Sequence, residues 1–85
     1  MSARVTFLTL AMLFAAHGAA SAACAGAIAE FETIITSDAE TGNLNKSVFR
    51  RVVAELNPLK VACAAGHEAE ATRALATVKA RYGYH

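Results

Sequence analysis

The sequence predicts a small all-α protein that one disulfide bond holds together after a signal peptide is removed. Apolar residues recur at steps of three and four in three separate stretches, which is the spacing of one face of a helix. No stretch shows the strict apolar–polar alternation of a half-buried strand. The chain of 85 residues also has only two cysteines. Together these observations favour a three-helix bundle or helical hairpin formed by residues 23–85.

The N-terminal segment has the composition of a secretory signal peptide. Arg4 gives the start of the chain a positive charge, and residues 5–16 form an apolar core. The small residues of the following AASAA predict a signal peptide of residues 1–22, with cleavage near Ala22 or Ala23 and export to the periplasm or the cell exterior. The apolar core is shorter than the ~20 residues that a membrane-spanning helix needs. A buried first helix is the alternative interpretation.

The two cysteines, Cys24 and Cys63, are predicted to form a disulfide bond. Two cysteines in a short exported chain are typical of one such bond. Closing a loop of roughly 40 residues is expected to stabilise the fold by about 4 kcal/mol in the chain-entropy model. Two alternatives stay open: Cys24 carries a lipid, which leaves Cys63 as a free thiol, or both thiols act as ligands or nucleophiles.

Three apolar stripes define the predicted helices, and both cysteines lie on them. Because both cysteines lie on the core-facing stripes, a bridge from the first helix to the second is expected. The stripes are Cys24, Ile28, Phe31 and Ile35 in the first; Phe49, Val52, Leu56, Leu59 and Cys63 in the second; and Ala71, Leu75, Val78 and Tyr82 in the third.

The ends of the second helix have chemical signals. Asn45 is a good N-cap, and Leu44 and Phe49 occupy the positions of a hydrophobic staple. Gly66 is a natural residue to follow the last turn. Pro58 lies inside the stripe, where it removes a backbone hydrogen bond and crowds the preceding turn. We therefore expect either a kink at Pro58 or a break that gives four helices.

The third helix is predicted from its charges as well as from its stripe. Glu68 and Glu70 begin it, and Lys79 and Arg81 end it, which is the order that the helix dipole favours. Gly83 is expected to end the helix. The helix and its flanks are rich in alanine, and two interpretations stay open: the helix packs tightly within the monomer, or it offers a flat face for a homodimer.

The polar run SDAETGNLNK, residues 37–46, is the candidate metal site. Hard cations such as calcium or lanthanide ions prefer several oxygen ligands on a tight loop, and Gly42 permits a sharp turn. The spacing departs from an EF-hand, because Phe49 falls where a bidentate glutamate is required. A polar turn between two helices is the alternative. The candidate ligands are Asp38, Glu40 and Asn43 of the 37–43 loop, with Glu30, Glu32 and Glu55 from the adjacent helices.

Two regions are candidate protein-contact sites. Lys46 and Arg50 are four residues apart and share a helix face. Tyr82 and Tyr84 lie near the C-terminus, and tyrosine is enriched in protein interfaces. We expect the tyrosines to be exposed and to be the preferred contact site for another periplasmic protein.

Charge and motifs exclude several function classes. Residues 23–85 contain seven basic and seven acidic side chains. A net charge near zero argues against a nucleic-acid partner and against a polybasic membrane anchor. The sequence has no serine–histidine–acid set, phosphate-binding loop or dinucleotide motif. We therefore expect no enzymatic activity.

The order of features resembles the small periplasmic acid-stress chaperones: Cys24 on the first helix, Cys63 closing the second, and a charged helix after it. No motif beyond the two cysteines carries this resemblance. It implies a protein that loosens at low pH, as carboxylates protonate, and exposes apolar surface to unfolding proteins. Three functions thus remain open. The preferred one is a non-catalytic helical binding or accessory protein; the others are a hard-cation carrier and an acid-activated chaperone.

Overall fold

The computed structural model describes the backbone of residues 2–85 and the side chains of residues 18–85. This backbone is all-α and has three helices: α1 (Ser2–Glu40), α2 (Lys46–Ala64) and α3 (Glu68–Arg81). Each helix packs against the other two. The described backbone contains no strand. The predicted fold class is therefore confirmed.

The core consists of the apolar stripes that the sequence predicts, except that Phe49 and Tyr82 are only partly buried against it. Phe31 and Ile35 of α1 and Val52 and Leu56 of α2 are almost completely buried. Each such side chain contributes about 1.5–3 kcal/mol when it leaves water. Among the described side chains, no polar or charged one is buried. The buried core residues are Cys24, Ile28, Phe31, Ile35, Val52, Leu56, Leu59, Cys63, Ala71, Leu75 and Val78.

The disulfide bond joins α1 to α2 within this core. Cys24 and Cys63 are bonded, and their Cα atoms are 5.8 Å apart. Both side chains are buried, and no free cysteine remains. This confirms the predicted pairing. The bond engages the sulfur atom that a lipid on Cys24 would need, and it also removes the nucleophile and ligand alternatives.

α2 continues through Pro58, so residues 2–85 form three helices and the four-helix alternative is wrong. The physical reason lies in the position of Pro58. The proline removes the hydrogen bond that its N–H would donate to the carbonyl oxygen of Ala54. Both residues are exposed, so water can satisfy that carbonyl. The buried stripe on the opposite side keeps its helical phase through to Cys63.

The turn between α2 and α3 is a Schellman motif. Gly66 follows the last turn of α2 with a φ of +88°, which costs a glycine little. The N–H of Gly66 donates to the carbonyl of Cys63, and the N–H of His67 donates to the carbonyl of Ala62 at 2.9 Å. The predicted helix end is confirmed, and α3 turns back antiparallel to α2.

The first half of α1 includes the predicted signal peptide. An apolar N-terminal helix is compatible with such a peptide, but the side chains of residues 2–17 lie outside the described ones. Ser21 lies just before the predicted cleavage site, and its hydroxyl donates to the carbonyl of Cys63 at 3.0 Å. The cleavage position stays a prediction.

One described helical stretch, Gly18–Glu40, is long and apolar enough to cross a membrane by length and composition. A signal sequence near the N-terminus and the core helix of a soluble protein pass the same test. No membrane assignment follows from it.

Candidate functional site

The polar run of residues 37–46 is a helix end, a short turn and a helix start. α1 extends to Glu40, so only residues 41–45 are non-helical. This corrects the predicted 37–43 loop: α1 continues because Ala39 extends its buried stripe. Gly42 then turns the chain with a φ of +82°. The N–H of Leu44 donates to the carbonyl of Asp38 at 3.0 Å.

Asn45 begins α2 as the sequence predicts. Its side-chain oxygen accepts hydrogen bonds from the backbone N–H of Ser47 at 2.8 Å and from the Ser47 hydroxyl at 2.6 Å. Leu44 and Phe49, the predicted staple pair, are both partly buried against the core. The second half of the run therefore serves helix capping.

The predicted cation ligands do not come together in the part of the chain that the structure describes. That part contains no group of three His, Cys, Asp or Glu side chains able to hold a metal ion. Glu32 forms an ion pair with Lys60 of α2 at 2.8 Å. Two other candidate ligands, Asp38 and Glu55, accept hydrogen bonds from tyrosines. The remaining candidates, Glu30, Glu40 and Asn43, are exposed. Calcium or lanthanide binding stays a prediction that no described contact favours.

The last residues of the chain fasten α3 to both other helices. The hydroxyl of Tyr84 donates to Oδ2 of Asp38 on α1 at 2.6 Å. The Tyr84 ring meets the buried ring of Phe31 edge to face, with centroids 5.2 Å apart. On the α2 side, Glu55 accepts hydrogen bonds from Arg81 and Tyr82. We call Arg81, Tyr82 and Tyr84 the C-terminal clamp.

The clamp changes the interpretation of the two tyrosines. Both were expected to be exposed, but both are partly buried against the core. Burial, together with the hydrogen bond to Asp38, raises the pKa of Tyr84 to about 12. The hydrogen bond to Glu55 is the main cause that raises the pKa of Tyr82. Their hydroxyl groups donate hydrogen bonds within the chain, and the partner-contact role of the tyrosines stays a prediction.

A surface groove lies between the end of α1 and the start of α2, and we call it the α1–α2 groove. It has a volume of about 490 Å³. Lys46 and Arg50 are exposed on its α2 rim, as their spacing predicts, and Phe49 is partly buried between them. Glu40 lies on the α1 rim. The lining residues are Thr36, Ala39, Glu40, Lys46, Phe49 and Arg50.

A second groove, the α2–α3 groove, was not predicted from the sequence. It has a volume of about 480 Å³ and is lined mainly by small and apolar side chains. Val61, at its α2 edge, is 68% exposed. The sequence pattern that could have predicted this groove is a second apolar stripe on α2. It consists of Ala54, Pro58, Val61 and Ala65, which follow one another at steps of 4, 3 and 4.

No protein-family model, curated protein or solved structure matches this chain. The functional argument therefore depends on the geometry of the chain itself.

Proposed function

We propose that this chain is a small, exported, non-catalytic helical protein of the periplasm that binds another protein through the α1–α2 groove. The main support for this proposal is the pair of basic side chains, Lys46 and Arg50, beside the partly buried ring of Phe49. The oxidised cysteine pair supports the compartment, because disulfide bonds persist mainly outside the cytoplasm.

Within the described residues, the two basic residues of the groove have no ion pair, and the same is true of Arg51, Arg73 and Lys79, whereas two other basic residues are paired. Lys60 and Arg81 form ion pairs with carboxylates of neighbouring helices. A rim of unpaired positive charge attracts and orients an acidic partner more than it adds affinity.

The groove fits a partner segment that carries an acidic residue next to an apolar one. The acidic residue would lie toward α2, against Lys46 and Arg50, because Glu40 on the α1 rim repels it from the other side. The apolar residue would cover Phe49. Interfaces usually combine such an aromatic anchor with charged residues at the rim.

The proposed contact differs from the tyrosine site that the sequence favoured. The hydroxyls of Tyr82 and Tyr84 are bonded to Glu55 and Asp38, whereas Lys46 and Arg50 project from the surface. A non-catalytic role is consistent with the cysteines, whose sulfur atoms are joined to each other.

Site-specific photo-crosslinking in the periplasm tests the proposal. A photoreactive residue is placed at Thr36, which lines the groove, and in a matched variant at Thr77 on α3. Both threonines are exposed, and both donate to the carbonyl four residues earlier. We expect a discrete crosslinked product from position 36 and not from position 77.

Charge reversal then tests the two basic residues. Arg50→Glu combined with Lys46→Glu is expected to abolish the product from position 36. Arg73→Glu, which changes an exposed arginine of α3, is expected to leave it intact. The same products from positions 36 and 77, or a product that survives the double reversal, would contradict the proposal.

The contacts between helices favour one second function, the acid-activated chaperone. Three polar contacts that join different helices use a carboxylate as the acceptor: Glu32 with Lys60, Asp38 with Tyr84, and Glu55 with the clamp. Loss of the negative charge of an acceptor would weaken the contact that it makes between helices.

Binding of an apolar dye between pH 7 and pH 2 checks this second function. The oxidised protein is expected to gain dye fluorescence as the clamp loosens and the core faces of α1 and α3 become accessible. An unchanged fluorescence over the whole range would remove the chaperone function and would leave the groove proposal unaffected.

A further inference from the structure

The outward surface of α2 is more apolar than a solvent-facing helix needs to be. Ala54, Pro58, Val61 and Ala65 are all exposed and follow one another at steps of 4, 3 and 4. This outer stripe lies beside the α2–α3 groove, which Ala74 of α3 helps to line. Val61 and Ile34 are the large apolar side chains with the greatest exposure among the described residues.

The two ends of this surface carry opposite charges. Glu70 lines the groove near the turn between α2 and α3. Arg51 lies on α2 seven residues before Pro58, and therefore on the same side of the helix at the other end. Arg81 is also at that end, but it is paired with Glu55. Within the described residues, neither Glu70 nor Arg51 forms an ion pair.

This arrangement is self-complementary under a two-fold rotation. A second copy turned by half a revolution about an axis through the middle of the surface brings its Glu70 over Arg51 of the first, and its Arg51 over Glu70. Symmetric dimers use one patch on both copies in this way.

We propose that the chain forms a two-fold dimer through the α2–α3 groove. The sequence predicted a homodimer through the alanine-rich α3 alone; here the interface is centred on Val61 of α2. The dimer is independent of the proposed partner-binding function, because the α1–α2 groove is lined by other residues. Failure of one proposal therefore leaves the other standing.

The area of the proposed interface limits the expected affinity of the dimer. Two helices side by side are about 20 Å wide, and α3 is about 21 Å long at 1.5 Å per residue. The face therefore covers about 400 Å² on each copy, or about 800 Å² in total, which is below the ~1,000 Å² that a stable specific interface buries and fits only a weak, transient one. The dimer is expected to be weak and to depend on protein concentration.

Sedimentation equilibrium of the oxidised protein, purified from the periplasm, tests the proposal. The wild-type protein is expected to show a reversible monomer–dimer equilibrium. Val61→Glu is expected to weaken the dimer at least about tenfold, since it places a charge at the centre of the interface. Ile34→Glu, at an exposed apolar residue of α1, is the matched control and is expected to leave the equilibrium unchanged.

A charge-swap series identifies the geometry. Glu70→Arg and Arg51→Glu are each expected to weaken the dimer, because each places like charges opposite one another. The double variant is expected to regain most of the wild-type affinity. A wild-type protein that is monomeric at every concentration, a Val61→Glu effect no larger than that of Ile34→Glu, or a double variant without recovery would overturn the proposal.

Discussion

The polar run of residues 37–46 and the C-terminal clamp both use side-chain hydrogen bonds to order the chain, but the bonded groups differ in how far apart they lie in the sequence. In residues 41–45 of the run, polar groups are satisfied within a few residues: Asn45 accepts from Ser47, and the Thr41 hydroxyl donates to the carbonyl of Ser37 at 3.0 Å. In the clamp, the bond from Tyr84 to Asp38 spans 46 positions of sequence. The run orders the ends of two helices, whereas the clamp holds three helices together.

This difference also determines which charges remain available at the surface. Glu55, Asp38 and Arg81 are used between helices. The local hydrogen bonds of residues 41–45 leave the neighbouring side chains of Lys46 and Arg50 projecting into solvent. The predicted contact site at the tyrosines therefore has polar groups that are bonded within the chain, whereas the proposed site at the α1–α2 groove has basic side chains exposed to solvent.

The largest expected effect comes from the longest-range covalent link. Replacing Cys24 and Cys63 together by alanine is expected to lower the free energy of unfolding by about 4 kcal/mol, because the unfolded chain regains the freedom of a loop of 39 residues. Urea unfolding followed by circular dichroism measures it. The wild-type protein reduced by added reductant is the control, and its free energy of unfolding should approach that of the variant. Equal free energies of unfolding with and without the bond would contradict this account.

The clamp is expected to come next. Tyr84→Ala removes both the edge-to-face contact with Phe31 and the hydrogen bond to Asp38, and is expected to cost about 2 kcal/mol in urea unfolding. Tyr84→Phe keeps the ring and is expected to cost about 1 kcal/mol. If both variants unfold like the wild-type protein, the C-terminal residues do not hold α3 in place.

Alkaline pH offers a second way to release the same contact. The pKa of Tyr84 is about 12 in the folded chain and 10 for the free side chain, so ionisation is easier in the unfolded state. The stabilisation is complete below pH 10 and is lost as the pH rises toward 12. Unfolding midpoints are expected to fall more steeply over this window in the wild-type protein than in Tyr84→Phe. Parallel pH profiles for the two proteins would show that Tyr84 is not the group involved.

The smallest expected effect lies in the polar run. Asn45→Ala is expected to lower the free energy of unfolding by about 1 kcal/mol, since it removes the cap of α2. Asn43→Ala, two residues earlier at an exposed position, is the matched control and is expected to change it very little. A loss at Asn43 as large as that at Asn45 would mean that the run has a role beyond capping.

The sequence predicted the features whose causes are local or periodic. The cap at Asn45, the helix end at Gly66 and the buried stripes each depend on residues within a few positions of one another. The disulfide bond was also predictable, because only one pairing of Cys24 with Cys63 exists.

The sequence did not predict contacts that depend on how the helices are placed. Nothing in the spacing of residues indicates that Tyr84 reaches Asp38 and Phe31, or that Arg81 and not Arg51 pairs with Glu55. The expected exposure of the tyrosines failed for this reason. The proposed metal site also required carboxylates from different helices to converge, and Glu32 and Glu55 instead meet donors from other helices, while Asp38 meets Tyr84 beyond the end of α3.

The most direct test of the proposed function compares the two contact sites in one crosslinking measurement. The photoreactive residue stays at Thr36, and the yield of the periplasmic product is measured for Lys46→Glu/Arg50→Glu and for Tyr82→Phe/Tyr84→Phe. The proposal predicts that the charge reversals remove the product and that the loss of both tyrosine hydroxyls leaves it. A product that needs the hydroxyls and tolerates the reversed charges would contradict the proposal.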